Sequence, residues 1–212
     1  MIAGEVPARA WLELLPEWEG HIGELLEAFV TMLFDENTRQ NLVSRTSLAS
    51  VWQRHMLDSA QLLRFVPRET QSWLDLGTGA GFPGLVIAML RSTCQVTLVE
   101  SRARRSDWLM RAAEALGLGN VRIAAKPVEQ VAEEKFGVIS ARAFAPLDKL
   151  LALSARFSTS DTIWVLPKGR SAAQELCDLH GWQHMFHVEQ SLSDPDAGII
   201  VGTLAGRKGR TS

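Results

Sequence analysis

Cysteine is scarce in this 212-residue chain: Cys94 and Cys177 stand far apart, and neither has the spacing of a metal ligand. That excludes a disulfide framework and reads as two reduced core thiols of a cytosolic protein. Five histidines are equally uninformative. His180, His184 and His187 run from an expected helix end across Gly181 into a strand, so no metal site is expected. No apolar run approaches the ~20 residues of a membrane span, and Leu85–Leu90 is at most a buried helix segment. Met1-Ile2-Ala3-Gly4-Glu5 lacks a basic region followed by an apolar stretch, so no signal peptide is expected. No internal repeat or low-complexity tract is visible, and nothing demands a dimer, so a monomer is expected.

A hydrophobic fraction of 46% supports a full core. The net charge of −2 hides an uneven distribution. Residues 1–36 carry Glu5, Glu13, Glu17, Glu19, Glu24, Glu27, Asp35 and Glu36 against the single base Arg9. The remainder therefore has an excess of bases, with clusters at Arg102/Arg104/Arg105 and Arg207/Lys208/Arg210. A basic face with an acidic back can bind nucleic acid although the overall charge conceals it.

The most telling stretch is Trp73-Leu74-Asp75-Leu76-Gly77-Thr78-Gly79-Ala80-Gly81-Phe82-Pro83-Gly84, followed by Val96-Thr97-Leu98-Val99-Glu100. Apolar residues around Leu74 and Leu76 read as a buried strand that stops where glycine takes over. Alternating glycines let the backbone turn at positive φ and leave no Cβ to block a ligand. Leu85–Leu90 then reads as a helix whose free N–H groups face the loop. Glu100, at the next strand end, is placed to bind a ribose diol. A dinucleotide fingerprint wants glycine three residues after the second one; here that position is Phe82. Asp75 would repel a pyrophosphate but suits the cationic amino group and sulfonium of S-adenosylmethionine. The Asp-x-Gly-x-Gly-x-Gly pattern resembles motif I of Rossmann-like methyltransferases.

Two helices are expected first, from about Glu17 to Phe34 and from an N-cap at Ser47 to Phe65, with a turn at Asn41–Ser44 and a stop at Pro67. Strands are expected near Ser72–Leu76, Gln95–Val99, Val121–Ala124, Gly137–Ala141 and Thr162–Leu166. Helices fall between them at about Gly84–Leu90, Arg102–Leu116, Leu147–Phe157 and Ser171–His180. Gln183–Glu189 and Ile199–Leu204 close the chain as an antiparallel end. The fold class is thus α/β: a Rossmann-like class I methyltransferase, with a seven-stranded, mostly parallel sheet, an antiparallel edge strand and an N-terminal helical extension. Residues 1–67 form the extension and 68–212 the donor-binding core. In such sheets ligands lie outside the carboxyl ends of the strands. That selects Asp75, Gly77, Gly79, Phe82, Glu100, the Lys126–Glu129 loop, the Arg142–Pro146 loop and Leu166–Gly169.

Read together, these loops resemble the small-subunit rRNA guanine-N7 methyltransferases, also named glucose-inhibited division protein B. The resemblance rests on Asn41–Ser44, Arg54-His55-Met56-Leu57-Asp58-Ser59, the glycine loop, Val128-Glu129, Ala141-Arg142-Ala143-Phe144-Ala145 and Leu166-Pro167-Lys168-Gly169. It spans about residues 22 to 204. The family methylates N7 of guanine 527 in the 530 loop of bacterial 16S rRNA. The resemblance implies S-adenosylmethionine as cofactor, 16S rRNA or the small ribosomal subunit as partner, and donor contacts from Gly77, Phe82, Val128, Glu129 and Arg142.

The chemistry is compatible with that expectation. Guanine N7 carries a lone pair and no proton, so its methylation needs alignment rather than a general base. An Asp/Asn-Pro-Pro-aromatic loop for amino-group methylation and a nucleophilic cysteine for carbon-5 methylation are both missing from the fourth-strand loop. Arg142 and Phe144 are candidate positioning residues; Phe144 fits either core packing or stacking on an extruded base. Candidate RNA contacts are Arg54, His55, Arg102, Arg104, Lys168, Arg207 and Lys208, with the C-terminal cluster favoured. His55 fits a histidine packed between helices equally well. The rival readings are an NAD-dependent oxidoreductase, a non-catalytic RNA-binding protein on the same scaffold, and a small-molecule methyltransferase.

Overall fold

Five apolar segments line up side by side as parallel strands in a computed structural model that describes residues 3–208. They are β1 (Ser72–Leu76), β2 (Gln95–Val99), β3 (Val121–Ala124), β4 (Val138–Ala141) and β5 (Ile163–Gly169). Helices cover both faces, so the central strands are apolar almost throughout rather than alternating. Period-two geometry divides their side chains between two cores. Trp73, Val96, Leu98, Val138 and Val165 point to one face, and Leu74, Leu76, Ile139, Trp164 and Leu166 to the other.

The sheet order is β3-β2-β1-β4-β5-β8-β6, and β8 (Gly198–Arg207) runs antiparallel to β5. Gly198 pairs with Gly169 at the carboxyl end of β5, and Thr203 pairs with Ile163 at its amino end. The sheet has eight strands rather than the expected seven, because Gln183–Glu189 is not one strand. β6 (Trp182–His184) pairs with Leu204–Arg207, and β7 (His187–Gln190) with Gly198–Val201. Between them the chain presses the Met185 carbonyl against Gly202, where a Cβ would stand 2.4 Å from that oxygen.

The parallel strands are joined by α5 (Gly84–Leu90), α6 (Ala103–Ala115) and α7 (Leu147–Ser154), and α8 (Ala172–Cys177) follows β5. α7 continues to Phe157 only as a 3-10 turn, and α8 is shorter than its apolar pattern suggests. The N-terminal extension holds α1 (Glu5–Glu13), which periodicity missed, then α2 (Ile22–Asn37) and α3 (Arg45–Ala49). Residues 17–21 are not helical, because Glu17 turns inward to pair with buried Arg91 at 2.9 Å. The N-cap of α3 is Ser44, whose hydroxyl accepts the Ser47 N–H at 3.1 Å, not Ser47 itself.

A π-helical segment, Trp52–Leu57, leads through α4 (Asp58–Ala60) into a 3-10 turn ending at Phe65. Its first N–H groups, of Trp52 and Gln53, donate to the Glu5 carboxylate, both at 3.1 Å, which ties α1 to it. Phe29 of α2 packs on Phe82 at 5.4 Å and on Trp108 of α6 at 6.3 Å. The extension therefore shares its core with one face of the sheet. Among the described residues no helix is long and apolar enough to cross a membrane, and no group of three or more His, Cys, Asp or Glu could hold a metal ion.

Candidate active site

The loop after β1 owes its shape to two acids. Asp75 is fully buried; its Oδ2 accepts the Gly84 N–H at 3.0 Å and its Oδ1 the Ser140 hydroxyl at 2.8 Å. Burial pushes its pKa up to about 6, although the hydrogen bonds from Ser140 and Gly84 oppose the rise. The expectation that Asp75 meets a cationic ligand is corrected: at 0% exposure it clamps β1, β4 and the start of α5 together. Gly84 permits this, since a Cβ there would lie 2.1 Å from Leu98 Cδ2.

Glu100 holds the other side of the loop. Its Oε2 accepts the Gly79 N–H at 3.1 Å and its Oε1 the Arg102 N–H at 2.8 Å, at the start of α6. Gly77 and Gly79 both take left-handed φ, 66° and 61°. The Phe144 ring lies over Gly77 so closely that a Cβ would approach it to 2.5 Å. Ala143 at φ 51° turns the chain to bring that ring across.

Beside the loop a cleft of about 540 Å³ opens between the helical extension, the Arg142–Pro146 segment, the end of β5 and residues 191–199. Arg142 is its hub. Both guanidinium Nη atoms lie 3.2 Å from His55 Nδ1, and Nη1 also approaches the Arg54 carbonyl at 3.3 Å and Asp58 Oδ2 at 3.4 Å. The guanidinium stands 5.1 Å over the Phe82 ring, on which His55 stacks at 4.7 Å. Burial, reinforced by the charges of Arg142 and Arg54, lowers the His55 pKa to about 3. His55 is therefore neutral near pH 7; its Nδ1 accepts from Arg142, and its Nε2 is buried with no hydrogen-bond partner.

The remaining sequence-selected residues divide. Gly77, Gly79, Glu100 and Val128 gather at the carboxyl ends of β1, β2 and β3, with Val128 buried and Glu129 exposed in a 3-10 turn. The Phe82 side chain is core, 1% exposed between Phe29 and His55, so its backbone is the part that faces the glycine loop. Lys168 is corrected as an RNA contact: its side chain is 8% exposed, and its ammonium bonds the Ala145 carbonyl at 2.6 Å and Glu175 at 2.9 Å. Burial alone would raise the Glu175 pKa, but hydrogen bonds from Ser171 and Lys168 and the lysine charge hold it below the usual value.

Arg54 is half-exposed at the cleft rim, paired with Asp194 at 2.7 Å. Arg102 and Arg104 are exposed at the start of α6, on the same edge of the sheet. Arg207 and Lys208 are not. Arg207 ends β8 and Lys208 follows it; because β8 runs against β5, both lie at the opposite end of the sheet from the cleft, away from the ligand side on which the C-terminal cluster is expected. Arg210 lies outside the described residues. Ser191, Ser193 and Asp194 line the cleft without any sequence signal, since their partners lie about 130 to 140 residues away.

A parallel sheet with an antiparallel edge, a glycine loop after β1 and an acid after β2 define a class I S-adenosylmethionine-dependent methyltransferase. Residues 22–192 match the family model described as rRNA small subunit methyltransferase G, and the chain belongs to that family. It is 58% identical to a ribosomal RNA small subunit methyltransferase G of Novosphingobium aromaticivorans, over 96% of this chain and 90% of that protein. A protein of the same description from Erythrobacter litoralis is 56% identical, over 95% and 97%. Among solved structures the fold resembles cofactor-bound Rv0187 from MTB (TM-score 0.66, 11% identity, 98% of this chain and 100% of that one). It also resembles an O-methyltransferase of Bacillus cereus in complex with SAH (TM-score 0.57, 14% identity, 83% and 90%).

Proposed function

We propose that this protein methylates N7 of guanine 527 in 16S rRNA, acting as a monomer in the cytoplasm, where its ribosomal substrate resides. The observation that carries this reading is the cleft beside the glycine loop, whose one histidine is neutral and already bonded to Arg142. A site whose histidine is already engaged suits a nucleophile that has no proton to lose. S-adenosylmethionine, when bound, supplies a methyl group made electrophilic by its sulfonium. The left-handed turn at Gly77 and Gly79 suits close backbone approach by the donor, Glu100 its ribose hydroxyls, and the Val128-Glu129 turn its adenine.

In this reading residues 1–67 supply one wall of the cleft and residues 68–212 the donor site. Arg142 and Phe144 position the target base, with the Phe144 ring available to stack on it. Arg54, Arg102 and Arg104 bind phosphates along the same edge, and Arg54 releases Asp194 to do so.

The test is to incubate the protein with labelled methyl donor and small-subunit rRNA from a strain lacking the modification, then map the labelled base. Label confined to N7 of that guanine is expected. Label on another base or atom would refute the reading.

A further inference from the structure

The cleft contains three carboxylates, and in two of them both oxygens accept hydrogen bonds of 3.0 Å or less. Glu175 receives the Lys168 ammonium, the Ser171 hydroxyl and the Leu147 N–H. Asp194 receives the Arg54 guanidinium and the Asp196 N–H. Asp58 differs. Its Oδ1 accepts the Ser193 hydroxyl at 2.6 Å and the Gln61 amide at 3.0 Å, whereas Oδ2 has only the long 3.4 Å approach of Arg142. Ser193 and Gln61 therefore hold the carboxylate by one oxygen, and the Ser191 hydroxyl braces both, at 3.0 Å from the Ser193 hydroxyl and 3.1 Å from the Gln61 amide. The second oxygen keeps an unused lone pair on the cleft wall next to the segment that leads into β8, three strands from β1 in the sheet order.

Resting on the guanine-N7 reading above, we propose that Asp58 Oδ2 accepts the N1–H of the target guanine and so sets the base specificity of the reaction. A purine whose N7 faces the donor turns its Watson–Crick edge, which adjoins the N7 edge at position 6, toward a neighbouring wall of the cleft. Guanine offers N1–H there as a donor; adenine offers N1 as an acceptor, which a carboxylate repels. The same contact assists the chemistry. The N7 lone pair forms the N–CH3 bond as the S–CH3 bond breaks, no proton moves, and the positive charge passes from sulfur to the purine. N1–H becomes more acidic as that charge develops, so its hydrogen bond to a carboxylate strengthens toward the transition state, where added binding raises the rate. Asp58 thus recognises the substrate and stabilises the ring that becomes cationic.

Single-turnover methyl transfer would be measured on RNA fragments carrying guanine, 1-methylguanine or adenine at the target position, with wild-type protein and Asp58→Asn. Wild type should use guanine at least about 10-fold faster than 1-methylguanine, which keeps N7 but lacks the N1–H. Asp58→Asn should lower the guanine rate by about 10- to 150-fold, the range for a hydrogen bond to a charged group. It should also bring the guanine to 1-methylguanine ratio toward one, while donor affinity by calorimetry stays at the wild-type value. Wild type that accepts 1-methylguanine as readily as guanine overturns the assignment with no variant involved. A variant that slows both RNAs equally reduces Asp58 to a structural partner of Ser193 and overturns it as well. Wild type that methylates no guanine refutes instead the guanine reading on which the proposal stands.

Discussion

Around Gly77–Gly84 each carboxylate accepts a loop N–H close by in sequence, with Ser140 the one distant partner of Asp75, whereas around Arg142 the partners come from opposite ends of the chain. Asp75 reaches Gly84 across nine residues, and Glu100 reaches Gly79 across twenty-one. Arg142 reaches His55 across 87, and Asp58 reaches Ser193 across 135. The donor half is built mainly by one strand–loop–helix–strand unit, β1 to β2, with Ser140 of β4 added behind Asp75. The cleft half exists only when the helical extension, the β4 loop and the segment before β8 have met. Burial follows the same division: Asp75 has no surface left, while Arg142, Asp58 and Arg54 keep part of theirs for a ligand.

The sharpest way to break the local half is Gly84→Ala. Its Cβ would collide with Leu98 and crowd Asp75 Oδ2 at 2.9 Å, so stability should fall by about 3 kcal/mol, as for severe overpacking. Urea unfolding reads this as a lower midpoint with an unchanged slope; a shift of under about 0.5 kcal/mol would mean that the clamp is loose. Glu100→Ala tests the same half through its ligand. It should weaken donor binding by about 10- to 150-fold, roughly 1.5–3 kcal/mol, and calorimetry finding an unchanged dissociation constant would remove the ribose role.

The cleft half should respond differently. Arg142→Ala leaves His55 Nδ1 and Asp58 Oδ2 without their donor, and should slow single-turnover methylation about 30-fold, roughly 2 kcal/mol, with donor affinity nearly intact. Arg142→Lys should rescue little, because an ammonium cannot reproduce the planar fork. Equal losses of donor binding and rate in Arg142→Ala would erase the distinction between the halves.

The two halves also carry opposite pH dependence. His55 titrates near 6.5 unfolded and about 3 folded, so its contribution is present above 6.5 and is lost as pH falls toward 3. Asp75 titrates near 3.8 unfolded and about 6 folded, so its contribution is present below 3.8 and is lost as pH rises through 6. Between about 4 and 6 the slopes oppose each other at about 1.4 kcal/mol per pH unit each. Wild-type stability should therefore be nearly flat there. His55→Gln should gain stability on acidification, and Asp75→Asn should lose it. Parallel wild-type and variant profiles would show that neither group titrates as described.

The smallest effect separates the two basic clusters. Replacing Arg102 and Arg104 together with alanine should reduce the salt dependence of RNA binding by roughly 2 in slope. The Arg207/Lys208 pair, at the other end of the sheet, should change it hardly at all. The reverse result would place the RNA path along the β8 end.

The β1 loop was legible because alternating glycines, a preceding acid and a strand-end acid are all local features, and local features fold as they read. Helix ends were less so. Glu17 belongs to a periodic apolar segment, yet its pairing with Arg91, 74 residues away, takes it out of the helix. Lys168 reads as a free cation after β5 until Glu175 and the Ala145 carbonyl fold around it. Phe82 reads as a pocket residue, but Phe29 and His55 close over its ring.

From the sequence by itself came the class of fold, the five parallel strands, the glycine loop and the strand-end residues beside it, since hydrophobic period and backbone freedom at glycine act over a few residues. Which basic cluster shares an edge with the cleft was decided only in three dimensions. β8 runs against β5, so its last residues lie an entire strand length from Gly169. The neutral His55, the guanidinium it receives and the half-free carboxylate of Asp58 are likewise tertiary facts. Burial and partners set their charge and their unused bonding capacity, and no spacing along the chain encodes either.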